Sequence, residues 1–300
     1  MTELQTPGTA IEADGGPGTE ADANNLYDAF TKTVDRIGDL LAVSAEAEGV
    51  EMTWSGLAKR VRAAAGGLNS IGVTRGENVG LLMNNRSAFY VCDMATVSLG
   101  AVPFSIYQTS SPEQITYLLE DSKCRTIFVE NSLLPSLLKA KENVDTIENI
   151  IIVDDEPAEG GTISLAELEA VDPDSDPAPL AAETTLGPPK GVVLTHGNLL
   201  RMSASVMQSR INMRGDGTSK VISWLPAAHI AERGANYYTP VLVGLEIHIC
   251  PDPRRIVEFL PKVNPTWFFA VPRIWEKLKA GLEAQLASLP DEQRQGAEAG

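Results

Sequence analysis

The chain has 300 residues, 43% of them hydrophobic and 21% charged, with a formal net charge of -16. That length and apolar share suit one large or two ordinary globular domains with a full core. The charge argues against a non-specific nucleic-acid binder, which needs Lys and Arg to displace phosphate counterions, but leaves room for a local basic pocket that takes a nucleotide.

Residues 1–23 are Gly, Pro, Thr, Ala and acidic side chains with almost nothing to bury, which predicts a disordered acidic tail and order from about Asn24 to Phe30. From Trp54 the apolar spacing turns helical. Leu57, Val61, Ala64, Ala65, Leu68 and Ile71 recur at a 3.6-residue period, with Thr53 or Ser55 as N-cap and Gly72 as stop. Asn78–Met83 reads as a strand broken by Asn84-Asn85. Arg86–Leu99 reads as a helix ended by Gly100, and Ala101–Ile106 as a second strand. Pro112 suits the first position of a helix capped by Ser110 or Ser111, with Ile115, Leu118 and Leu119 on its buried side. Arg125–Val129 is a strand, Ser132–Ala140 a short helix, and Asn149–Val153 a buried strand. Strands alternating with helices in this way predict βα units and a mainly parallel sheet. Residues 154–183 turn to Asp, Glu, Pro, Gly and Ala, and Ile163–Leu168 alone hints at a short helix. A linker or surface excursion is expected there.

Gly187-Pro188-Pro189-Lys190-Gly191 follows and runs through Val192-Val193-Leu194 into a helix start at Thr195–Asn198. Bare glycine backbone lets N–H groups approach an anion, and the lysine adds a point charge, so the turn fits a phosphate. A plain surface turn with a solvated lysine fits the same residues, and a Walker A loop cannot be aligned on them. Asn198–Ile211 then reads as a helix, Met213–Lys220 as a polar loop and Val221–Leu225 as a strand ended by Pro226. His229–Leu242 is a helix, Leu245–Cys250 a strand, Pro253–Val263 a helix, Thr266–Val271 a strand and Pro272–Leu289 a long helix. The expected fold class is α/β: alternating strands and helices in mainly parallel sheets of two subdomains, residues 24–183 and 184–300.

Cys92, Cys124 and Cys250 are far apart, odd in number and form no CxxC, so no disulfide framework is expected and a reducing cytoplasm fits. His196, His229 and His248 have no metal-ligand spacing, so no metal site is expected from them. The start has no basic residues leading into an apolar run, and no stretch of about 18 apolar residues occurs. Neither a secretory signal nor a bilayer span is expected; a peripheral membrane contact stays open.

Five stretches together resemble one family, the adenylate-forming acyl-CoA synthetases, in particular the long-chain fatty acid–CoA ligases of actinobacterial type. Leu99–Ser111 resembles the family's "GAV-PI-Y-TSS" strand and turn, and Gly187–Asn198 the second half of its phosphate-loop signature. Ser223–Arg233 resembles its "LPLAH-ER" element, Pro265–Lys277 its "VPR-WEK" element, and Gly56–Asn84 the opening of its large domain. The resemblance implies ATP, Mg2+ and coenzyme A, with a long-chain fatty acid as substrate; that no nucleic-acid partner is expected follows from the charge. It implies nucleotide binding by Thr184, Thr185, Gly187, Lys190 and Gly191, and a gate at the acyl and adenylate pocket in His229. Trp224, Glu232 and Arg233 would line the substrate side. The residues themselves leave other readings open: a structural histidine at a helix start, local ion pairs for Glu232 and Arg233, and a core tryptophan.

Two departures from the family pattern shape the expectation. The family's loop reads roughly Thr-Ser-Gly-Thr-Thr-Gly-x-Pro-Lys-Gly after an apolar strand. Here the chain reads Ala182-Glu183-Thr184-Thr185-Leu186-Gly187-Pro188-Pro189-Lys190, as a deletion joining two distant stretches would. No Tyr-Gly-x-Thr-Glu, no Thr-Gly-Asp and no C-terminal lysine domain occurs. The expectation is an incomplete N-terminal part of such a ligase, with little or no activity, or alternatively a non-catalytic acyl- or nucleotide-binding fragment.

Overall fold

The structure is a computed structural model that describes residues 23–154, 161–182, 194–208 and 213–287. The acidic tail before Ala23 and the turn from Thr184 to Gly191, with Lys190, lie outside the described residues.

The expected βα alternation builds a five-stranded, all-parallel sheet. Its strands are β3 (Asn78–Leu82), β4 (Val102–Ser105), β5 (Thr126–Val129), β6 (Asn149–Ile152) and β7 (Ile163–Ser164), in the order β4-β3-β5-β6-β7. β5 is buried along its whole length, as is β6 after Asn149, which is why both read as near-continuous apolar runs. The helices start where their side chains can cap them. Thr53 accepts from the Gly56 N–H at 3.0 Å to open α2 (Trp54–Ser70). Ser111 and Gln114 form a capping box, with Pro112 at the first turn of α4 (Pro112–Ser122). α3 (Ser87–Ser98) is buried at every position, as a helix of small and apolar residues on all sides must be.

The second sheet departs from the expected division at residue 183. It joins β1 (Leu41–Ala45) and β2 (Val50–Thr53), near the start of the chain, to β8 (Lys220–Ser223) and β9 (Glu246–Ile249), in the order β2-β1-β9-β8. β1 pairs antiparallel with β2 and parallel with β9, where Val43 sits opposite Ile247. Helix α1 (Leu26–Ile37) starts close to the expected point, with Asn25 as its cap.

Three other differences have local causes. Residues 163–171 are no surface excursion: β7 extends the first sheet, and α6 (Leu165–Val171) packs on α2. Gly66 and Gly67 allow the close approach, since a Cβ on Gly67 would lie 2.2 Å from the Leu168 carbonyl oxygen. The expected strand Thr266–Val271 does not form. The Thr266 N–H bonds to the Lys220 carbonyl at 3.0 Å, but farther along the Trp224 indole, not β8 backbone, reaches Phe269. The expected helix His229–Leu242 becomes α9 (Ile230–Glu232), a π-helical turn Arg233–Tyr238, and α10 (Thr239–Val243). Pro240 takes one N–H donor out of this run, and the widened turn just before it closes with the Thr239 N–H on the Gly234 carbonyl. Five further helices are α5 (Leu134–Lys141), α7 (Ala178–Ala182), α8 (His196–Gln208), α11 (Ile256–Val263) and α12 (Pro272–Ala287). Among the described residues no helix is long and apolar enough to cross a membrane.

Candidate active site

In the first sheet the chain runs from β3 outward to β4 and then back across to β5, so the switch point lies between β3 and β5. Open α/β sheets bind ligands outside the carboxyl ends of such strands. Here those ends carry Asn84, Asn85 and Arg86 after β3 and Glu130 after β5. The second sheet presents its own carboxyl ends to the same place, with Ala45 at the end of β1 and Glu48 beyond it, and Ile249 at the end of β9 with Pro251 and Asp252 beyond it. Together these residues line a cleft of about 380 Å³.

The cleft wall is tied together by charge. The Glu130 carboxylate accepts from the Asn84 N–H at 3.0 Å, the Asn84 amide at 3.1 Å and the Ser132 hydroxyl at 2.7 Å. Arg86 donates to Asp154 at 2.7 Å and lies 3.7 Å from Glu130. Burial pulls its guanidinium toward the neutral form, but Asp154, Glu130 and Glu48 outweigh that and hold it charged. α3 has no side-chain cap of its own. Glu48, from the β1–β2 connection, supplies one by accepting from the Ser87 N–H at 2.9 Å and the Ser87 hydroxyl at 2.6 Å.

The segment after β8 carries four of the residues singled out from sequence, and the structure separates them. His229 is exposed and caps α9, its Nδ1 accepting from the Ala231 N–H at 3.1 Å, so the neutral ring carries its proton on Nε2. Glu232 and Arg233 do not share its face: both are buried. α9 is a single turn, and the backbone widens immediately after it. Glu232 Oε2 accepts from the Leu225 N–H at 3.1 Å and the Asn236 amide at 2.8 Å, while Oε1 is buried without a hydrogen bond. Burial pushes this carboxyl up to about 7 against the lowering pull of Ser223, Asn236 and nearby amides.

Arg233 turns into the core and meets Asp93 of α3, which is 0% exposed. Its Nε donates to the Tyr238 hydroxyl at 3.1 Å and its Nη1 to the Ser105 hydroxyl at 3.0 Å, with the Phe89 ring 5.6 Å away. The expected local ion pair between Glu232 and Arg233 is therefore replaced by a distant one. Trp224 is 3% exposed, donates from Nε1 to the Phe269 carbonyl at 3.0 Å and stacks on Phe268.

Sequence reasoning passed over Asn85, Glu48 and Asp93. A lone aspartate inside the apolar run Phe89–Val97 was a readable signal, because a charge there demands a partner. Among the described residues no group of three or more His, Cys, Asp or Glu side chains is gathered as a metal needs. The described residues by themselves do not fit a resident Mg2+.

A family profile described as "AMP-binding enzyme" matches residues 30–298. The long-chain-fatty-acid–CoA ligase ACSBG2 of Xenopus laevis is 26% identical, covering 86% of this chain and 38% of that protein. The long-chain-fatty-acid–CoA ligase FadD15 of Mycobacterium bovis is 29% identical over 79% of this chain and 42% of its own length. The chain thus spans about two fifths of these curated relatives. Among solved structures, a long-chain-fatty-acid–CoA ligase (FadD1) of Archaeoglobus fulgidus superimposes with a TM-score of 0.73 at 23% identity, covering 87% of this chain and 54% of that one. The N-terminal domain of FACL13 from Mycobacterium tuberculosis gives 0.66 at 21% identity, over 79% and 60%.

Proposed function

The chain belongs to the AMP-binding enzyme family, and from that premise we propose that its cleft serves ATP-dependent activation of a long-chain fatty acid. In that reaction the carboxylate attacks the α-phosphate of ATP to give an acyl-adenylate and pyrophosphate. The thiol of coenzyme A then displaces AMP. The observation that carries the reading is the cleft itself, where carboxyl ends of strands from both sheets meet at the switch point of the all-parallel one. The names of the relatives support the substrate class.

The reaction requires the charge on the transferred phosphoryl group to be neutralised and the attack held in line. Lys190, with Gly187, Gly191, Thr184 and Thr185, is the group in this chain suited to the triphosphate, with magnesium arriving on the nucleotide. His229 stands as the gate at the acyl side, and Trp224 as pocket wall. Glu232 and Arg233 act behind that wall. Three buried, free cysteines support a cytoplasmic setting.

The 300 residues by themselves turn over little substrate. Pro188 and Pro189 supply no N–H to a phosphate, and Leu186 interrupts the hydroxyl-bearing run. Purified chain is expected to release no more fatty acid–dependent pyrophosphate than Lys190→Ala, and release well above that control overturns the inactivity. Calorimetry with ATP and with palmitate separates the remaining readings. Binding of either without turnover assigns the chain a non-catalytic acyl- or nucleotide-binding role. Binding of neither overturns the ligand assignment.

A further inference from the structure

The turn that carries His229 is fixed by side chains from two directions. From within its own segment, Glu232 accepts the Leu225 N–H at 3.1 Å. From the other sheet, Asn85 uses both ends of its amide: Nδ2 donates to the Leu225 carbonyl at 2.6 Å and Oδ1 accepts from the Ala227 N–H at 2.8 Å. A side-chain amide thus exchanges two bonds with alternate backbone groups, as a neighbouring strand would. The His229 N–H closes the turn on the Pro226 carbonyl at 2.7 Å. Asn85 is 7% exposed, so neither of its bonds competes freely with water.

We propose that Asn85, which lines the cleft, is a positioning residue for His229, setting where the imidazole stands by clamping Leu225 and Ala227 to the carboxyl end of β3. Through this clamp the first sheet sets the position of a group on the second. The functional weight of the clamp rests on reading His229 as the acyl-side gate. The clamp itself is tested without substrate, so its failure is distinguishable from failure of that reading.

The chain has three histidines, so each imidazole gives a resolvable signal by nuclear magnetic resonance. Asn85→Ala is expected to displace the His229 ring signal while those of His196 and His248 stay, and to lower hydrogen-exchange protection of the Ala227 amide about tenfold. Asn85→Asp keeps the shape and the acceptor for Ala227 but loses the donor to Leu225. It is expected to displace His229 while Ala227 keeps its protection. A folded Asn85→Ala chain with an unmoved His229 signal and an unchanged Ala227 amide overturns the proposal. If neither variant folds, the wild-type chain decides. Slow exchange of the Asn85 side-chain amide, with Overhauser contacts to Leu225, upholds the clamp, and fast exchange without them overturns it.

Discussion

Arg233, in the π-helical turn after β8, and Asp93, in the middle of α3, form an ion pair closed off from water at the join between the two sheets. Tyr238 and Ser105 satisfy further guanidinium protons. The partners come from widely separated parts of the chain, so the pair serves as a registration point rather than as a local helix contact. A buried pair is weak evidence of net stability, but breaking one side leaves an uncompensated charge. Asp93→Ala is therefore expected to cost about 3–5 kcal/mol in denaturant unfolding, and the double change Asp93→Leu with Arg233→Met to recover most of it. A loss under about 1 kcal/mol for the single variant would show that the pair does not hold the two sheets.

The Glu232 carboxyl predicts a pH dependence. Its ordinary value of 4.5 is raised to about 7 by burial, so the folded chain holds the proton more tightly than the unfolded one. Its contribution is fully present below about 4.5 and is lost as pH rises through about 7. The loss amounts to about 3 kcal/mol. Burial lowers His196 and His248, which makes them weaken the fold toward acid, the opposite sense. The comparison is therefore made between the chain and Glu232→Gln. The Tm advantage of the variant is expected to grow by roughly 5 °C or more between pH 5 and pH 8. An advantage that does not change with pH would remove Glu232 as the titrating group.

Two glycines give opposite outcomes for the same substitution. Gly67→Ala places a Cβ 2.2 Å from the Leu168 carbonyl oxygen and forces α2 away from α6. A loss of about 1–3 kcal/mol is expected. Gly281→Ala, in α12 with nothing within 4 Å of the new atom, is expected to stabilise by about 0.5–1 kcal/mol. Thermal unfolding of both reads the contrast, and equal effects would contradict it.

Glu48→Ala removes the borrowed cap of α3, leaving the Ser87 N–H and hydroxyl without their carboxylate. Denaturant titration is expected to show a loss of about 1 kcal/mol. Glu48→Gln, which keeps an acceptor, should recover part of it. An Ala variant as stable as the original chain would mean that solvent caps α3 equally well.

The helices and inner strands were legible because each carries its own cause. α2 shows a full apolar period and a threonine cap, and α4 a proline and a capping box. What failed to read depends on partners distant in sequence. β1 and β2 are short, and β1 gains its second neighbour only from β9. Thr266–Val271 has the composition of a strand, but composition supplies no ladder, and Trp224 takes the place of one. In residues 154–183 the acidic and proline-rich surroundings hid a capping box, Ser164 with Glu167, ahead of Leu165 and Leu168. His229 and Trp224 were singled out by motif, and neither is among the residues that line the cleft. Asn85 was missed because an asparagine after a strand reads as a turn residue, and its backbone partners become adjacent only through the fold.

The pairing of Val43 with Ile247 has a consequence for synthesis. During translation the strands from Asn78 to Ser164 can assemble while the ribosome is still adding residues, because every neighbour in that sheet is already made. β1 must wait, with its second edge unpaired, until β9 emerges far downstream, and closing so long a loop is slow. The nascent chain therefore carries an open strand edge from the making of β1 until β9 has followed, and this is the interval in which a chaperone would find it.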